Sequence, residues 1–170
     1  KITRRTFIKT STAIGSAAAV LPNALLSNSS KKNVRIGFIG TGLRGQWMLW
    51  LAAKYPDVEI PAICDIDESM INSGLRILKD GGKPKPRVYS KHDEDFLNML
   101  ENEDLDGVYI ATPWEWHHPM AIAAMNSGAH VGTEVPAALT VNECWDLVNT
   151  SEQTGKLCMI MENVCYRRDI

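Results

Sequence analysis

A strand-length apolar run, Val34-Arg35-Ile36-Gly37-Phe38-Ile39, leads straight into Gly40-Thr41-Gly42-Leu43-Arg44-Gly45. Three glycines at these offsets between a strand and a helix leave few alternatives for what the segment folds into. The first permits a tight turn, the second lets a pyrophosphate approach the backbone, and the third lets the helix pack close on the strand. The helix opening at Leu43 aims its unpaired N–H groups and the positive end of its dipole at the phosphates. Gly40, Gly42 and Gly45 are therefore candidate cofactor positions. Taken alone, the motif says only that a dinucleotide binds.

The residues that follow keep one rhythm. A helix is expected from Leu43 to Lys54, with Leu43, Trp47, Trp50 and Leu51 on one face, packed against the sheet. A second strand over 58–64 ends at Asp65, which lies 20 residues past Gly45. A carboxylate there accepts hydrogen bonds from the adenosine ribose and favours NAD, because it repels a 2′-phosphate. A plain turn residue is the alternative for Asp65. Asp67 is placed to cap a helix over 68–79, Gly81 to Pro86 read as a loop, and a short helix starts in 93–95 and runs to Leu100. Strand 106–111 leads into Thr112 to His118, and a helix over 119–127 stops at Gly128. Strand 129–133 ends in Glu134-Val135-Pro136. Thr140 and Glu143 form a capping box for a helix that Gly155 ends, and strand 157–161 runs into Glu162-Asn163.

Strands alternating with helices over short loops give an α/β fold, a Rossmann-type, doubly wound and mostly parallel sheet. Ligands of such sheets lie outside the carboxyl ends of the strands. The polar and aromatic oddities of this chain collect at those ends: Gly40 to Gly45, Asp65, Thr112 to His118, Glu134 to Pro136, and Glu162 with Asn163. A purely structural explanation needs a separate reason at each.

At 170 residues the chain is long enough for one ordinary domain and short for two. Residues 1–32 carry six basic side chains and no acidic one, so the 12 basic and 20 acidic residues beyond them give a net charge of -8. An acidic body of this kind argues against a nucleic-acid partner. Thr3-Arg4-Arg5-Thr6-Phe7-Ile8-Lys9, followed by the alanine-rich run 12–21, reads as a twin-arginine export signal within residues 1–30. That run is too short and too weakly apolar to span a bilayer, and no cysteine there suggests a lipid anchor. The expected location is therefore periplasmic or secreted. Cys64, Cys144, Cys158 and Cys165 lack any metal-binding spacing. Export would permit disulfides, but Cys64 and Cys158 sit in apolar runs and are expected as buried free thiols. The domain is expected over 33–165. Residues 166–170 are read as the start of a second domain, which would hold the catalytic acid and base and any homo-oligomer interface.

The order of glycine turn, acid after strand 58–64, Thr-Pro after strand 106–111 and Glu-x-Pro after strand 129–133 resembles the glucose-fructose oxidoreductase and inositol dehydrogenase superfamily. More narrowly, Gly42-Leu43-Arg44-Gly45, Thr112-Pro113-Trp114-Glu115-Trp116-His117, Gly132-Thr133-Glu134-Val135-Pro136 and Glu162-Asn163-Val164-Cys165-Tyr166 resemble glycoside hydrolase family 109. That likeness implies an NAD-dependent α-N-acetylgalactosaminidase acting on glycans that bear a terminal amino sugar. It implies NAD contacts at Leu43, Arg44, Asp65, Trp114, His117, Glu134, Val135 and Asn163, with Thr112 in the same set. For His117 a helix-capping role is the alternative. Ordinary dehydrogenases of the superfamily have lysine where Val135 stands, whereas the family-109 enzymes do not. The implied reaction is redox-neutral: hydride leaves the sugar C3, the C2 proton and the C1 aglycone follow, water adds, and hydride returns. An exported sugar oxidoreductase and a non-catalytic nucleotide-binding protein remain the competing readings.

Overall fold

The computed structural model describes residues 33–166; the export signal read in residues 1–30 lies outside them, as do residues 167–170. The chain runs β1 (Val34–Ile39), α1 (Leu43–Ala53), β2 (Val58–Glu59), β3 (Ala62–Cys64), α2 (Glu68–Asp80), β4 (Arg87–Tyr89), α3 (Asp95–Asn102), β5 (Gly107–Ile110), α4 (Trp114–Asn126), β6 (His130–Thr133), α5 (Val141–Thr154) and β7 (Cys158–Ile160). A short 3-10 turn over Val164–Tyr166 follows. The strand order is β4-β3-β1-β5-β6-β7, with β2 also paired to β1. Every pairing is parallel. The order reverses between β1 and β5, which is the topological switch point of a doubly wound sheet.

Successive residues of the inner strands enter opposite cores. Phe38, Ile63 and Tyr109 pack with the side chains of α1 and α2 on one face. Ile39, Ala62, Val108 and Ile110 pack with α3, α4 and α5 on the other. Burial on both sides explains why these strands read as continuous apolar runs.

The structure alters four expectations. Leu43, Trp47 and Trp50 do not face the sheet; the buried residues of α1 are Gly45, Leu49 and Ala53. Gly45 sets this phase, because a Cβ there would lie 2.0 Å from the Gly40 carbonyl oxygen. The glycine must meet the strand, and positions four and eight residues on follow it. Trp47 and Trp50 are left half exposed, with Arg44 over the first ring at 5.1 Å and Lys54 over the second at 3.2 Å.

The strand expected over 58–64 is broken at Ile60-Pro61 into β2 and β3, as suits a residue with no N–H to donate. Strand β4 was not foreseen; it is three residues long, too short for periodicity to register. Helix α4 starts at Trp114, not Pro119, and carries Pro119 in its interior. Pro119 removes one backbone hydrogen bond and strains the turn before it, at about 3 kcal/mol. Met120, Ala121, Ala124 and Met125 are all buried, and each large apolar side chain contributes about 1.5–3 kcal/mol. Burial wins.

Other local readings hold. Asp67 caps α2 by accepting from the Ser69 and Met70 N–H groups. The Thr140–Glu143 capping box opens α5, and Gly155 ends it in the left-handed conformation at φ 67°. Cys64, Cys144, Cys158 and Cys165 are all free thiols. Burial is the main cause that pushes the Cys64 thiol up to about 12, so it stays protonated and unreactive.

Candidate dinucleotide-binding site

The glycine turn is assembled from backbone contacts. Gly40 has φ 90°, and a Cβ there would stand 2.4 Å from the Ala111 carbonyl oxygen at the end of β5. Its N–H donates to the Cys64 carbonyl at 2.8 Å, joining the turn to β3. Gly42 differs from both its partners. A Cβ at Gly42 would meet nothing within 4 Å, so the backbone there borders open space. Gly42 is also the N-terminal cap of α1 and supplies no side chain to its first turn. The leading N–H groups of that helix have no intrahelical acceptor. A cradle with this shape and polarity fits a pyrophosphate.

Asp65 is tied into the same turn. Its Oδ2 accepts from the Thr41 N–H at 2.5 Å and from the Thr41 hydroxyl at 3.0 Å. Its Oδ1 accepts from the Asp67 N–H at 2.9 Å. Thr41 is completely buried, so Asp65 holds the turn from the neighbouring strand end. The turn role foreseen as the alternative is therefore real. A carboxylate offers about four lone-pair directions, and three donors leave one for a ribose hydroxyl.

Across the switch point, Arg44 Nε donates to Glu134 Oε1 at 2.6 Å. The Tyr109 hydroxyl donates to the same oxygen. The hydrogen bond that Arg44 donates to Glu134 is the largest cause holding its guanidinium above its ordinary range. Burial first, then the bond to Glu134, keeps the Tyr109 phenol protonated well past neutral pH. Tyr109 was not singled out in the sequence, because a tyrosine inside an apolar strand reads as core.

His117 is buried, and its two ring nitrogens face carbonyl oxygens: Pro136 at 2.7 Å from Nδ1 and Thr112 at 2.8 Å from Nε2. The ring thereby braces the loop after β5 against the turn after β6, where the Val135–Pro136 peptide is cis. The Thr112 hydroxyl points to Met120 Sδ at 3.5 Å. Leu43 is 87% exposed and Trp114 62% exposed, large values for such side chains, and Val135 is also exposed. Asn163 stands exposed beyond β7. The structure thus pairs Gly40 with Gly45, Arg44 with Glu134 and Thr112 with His117, and ties Asp65 to the glycine turn through Thr41. It leaves Leu43, Trp114, Val135 and Asn163 open to solvent near the same strand ends.

A parallel sheet of this order, with a glycine turn and an acid on adjacent strand ends, defines the class: a dinucleotide-binding Rossmann domain. The chain belongs to the GFO/IDH/MocA oxidoreductase family, an NAD-binding Rossmann fold whose pattern matches residues 34–162. It is 47% identical over 138 residues to a glycosyl hydrolase family 109 protein of Saccharopolyspora erythraea, covering 81% of this chain and 30% of that protein. It is 44% identical over 187 residues to an alpha-N-acetylgalactosaminidase of Tannerella forsythia, covering 99% of this chain and 40% of that enzyme. The chain therefore spans well under half the length of these relatives. Among solved structures, its fold is similar to scyllo-inositol dehydrogenase from Lactobacillus casei with bound NAD(H) and scyllo-inositol. That match has a TM-score of 0.69 and 23% identity, and covers 81% of this chain and 38% of the other. It is likewise similar to myo-inositol 2-dehydrogenase from Lactobacillus plantarum, with a TM-score of 0.68 and 23% identity over 81% of this chain and 38% of the other. The cofactor of the domain is NAD.

Proposed function

We propose that this domain is the NAD-holding part of an exported glycosidase that removes terminal α-linked N-acetylgalactosamine. The observation that carries the reading is Val135. It stands exposed at the end of β6 beside Glu134, where the superfamily's ordinary dehydrogenases have lysine. Valine has no transferable proton, so net alcohol oxidation lacks its usual partner at this position. The likeness to family-109 proteins, one of them an alpha-N-acetylgalactosaminidase, supports the same choice. The twin-arginine pattern in residues 1–30 supports export of a folded, cofactor-loaded protein to the periplasm or beyond.

When bound, NAD supplies a reversible hydride acceptor, so that transient oxidation at the sugar C3 permits loss of the C1 aglycone and addition of water. The chain's own residues hold and shield. The glycine turn and the first turn of α1 take the pyrophosphate, and Asp65 takes the adenosine ribose. Glu134 orients the far end, with Trp114 and Val135 excluding water there. A cycle that returns its hydride needs no external pool of oxidant, which suits an exported enzyme.

The test is incubation of the full protein with a chromogenic α-N-acetylgalactosaminide and no added NAD. Many turnovers per enzyme with no accumulation of NADH are expected. NADH or oxidised sugar formed in step with substrate consumed would make the protein an oxidoreductase instead.

A further inference from the structure

Three elements converge on one carboxylate oxygen. Glu134 follows β6, Arg44 lies in the first turn of α1, and Tyr109 lies on β5. Arg44 and Tyr109 both donate to Glu134 Oε1. Gly132, two residues before Glu134, pairs with Tyr109 across β5 and β6, and a Cβ there would make only ordinary contact with the tyrosine ring, at 3.7 Å from Cδ2. Phe38 supports that ring from β1, with centroids 5.4 Å apart. The Arg44 side chain is 36% exposed, while that of Glu134 is only 13% exposed. An ion pair this open on one side contributes about 0–1 kcal/mol when its side chains are free to wander. A buried phenol bonded to the same oxygen removes that freedom for Glu134.

We propose that Tyr109 is a positioning residue of the NAD site. Its hydroxyl fixes the Glu134 carboxylate, so that Arg44 and Glu134 form a clasp between the two halves of the domain, and the clasp sets how slowly NAD leaves. The bridge runs from α1, in the β1 half, to the end of β6, in the other half. It therefore spans the switch point where a dinucleotide crosses the sheet. Charge-assisted hydrogen bonds of this kind are short and about twice as strong as neutral ones. Nothing in this depends on the glycosidase reading; it requires only that the domain binds NAD.

The experiment measures NADH release by stopped-flow fluorescence, chasing bound NADH with excess NAD⁺. Tyr109→Phe keeps the ring against Phe38 and Gly132 and deletes only the donor. Release is expected to speed up by about tenfold, the effect of one lost charge-assisted hydrogen bond, while the association rate stays within about twofold. Tyr109→Phe combined with Glu134→Gln is expected to release no faster than Glu134→Gln alone, because both break the same clasp. A tyrosine that only fills core would lower Tm and leave release unchanged, and that result overturns the proposal. Factors that multiply in the double variant overturn it as well. Should Tyr109→Phe fail to fold, Arg44→Lys and Glu134→Gln carry the same cycle: non-multiplying release factors support the clasp, and multiplying ones refute it. Absence of glycosidase activity in the parent protein, with the release rates of the variants behaving as expected, would count against the proposed reaction alone.

Discussion

Replacing Gly45 by alanine is expected to destabilise the domain by about 3 kcal/mol and abolish NAD binding with it. The added methyl would sit 2.0 Å from the carbonyl oxygen and 2.9 Å from the carbonyl carbon of Gly40. Both are backbone atoms of the turn, so no side chain can rotate aside. Overpacking typically costs 1–3 kcal/mol, and a clash between two backbones belongs at about the top of that range. Against a total stability of about 5–15 kcal/mol, a drop in Tm of about 10 °C is expected by calorimetry. Gly42→Ala provides the contrast. Its methyl would enter open space, and its φ of -62° suits alanine. Tm should hold while NAD affinity falls by about tenfold or more, because the methyl occupies the approach to the pyrophosphate. If Gly42→Ala binds NAD as the parent does, the phosphates do not lie over this turn.

The second large effect is expected at Asp65. Alanine there strands the Thr41 N–H and hydroxyl in a fully buried position and frees the Asp67 N–H. Unpaired buried groups cost about 1–3 kcal/mol each. A loss of about 2 kcal/mol is expected by urea unfolding, since Asp67 sits where water can replace its partner. NAD affinity should fall by about 30-fold or more, through the loosened turn and the lost ribose acceptor together. Asp65→Asn separates the two contributions. It keeps an acceptor for Thr41, so stability is largely retained, but it removes the charge that repels a 2′-phosphate. The ratio of NADP to NAD affinity should rise by about tenfold. An unchanged ratio would mean that Asp65 does no more than hold the turn.

The site was legible wherever one residue type is forced by local geometry. Gly40 and Gly45 are required by close backbone approach, Asp67 and Thr140 by unpaired helix N–H groups, and Gly155 by a positive φ. What escaped depends on contacts between distant segments. The tryptophans of α1 fall on one helical stripe, which periodicity alone assigns to the sheet. Gly45, which carries no hydrophobic weight, is what turns that stripe outward. The sequence places the start of α4 at Pro119, yet the helix opens at Trp114 and carries the proline in its interior, held by burial of the turns that follow. Tyr109 and Glu134 are 25 residues apart, and nothing local to either signals that they meet.

Equilibrium titration of the purified chain with NAD and, separately, NADP tests the central claim most directly. One equivalent of NAD per chain is expected, with NADP at least about tenfold weaker because Asp65 stands beside the turn. Failure of NAD to bind at any attainable concentration, or a preference for NADP, would contradict the assignment of these strand ends to that cofactor.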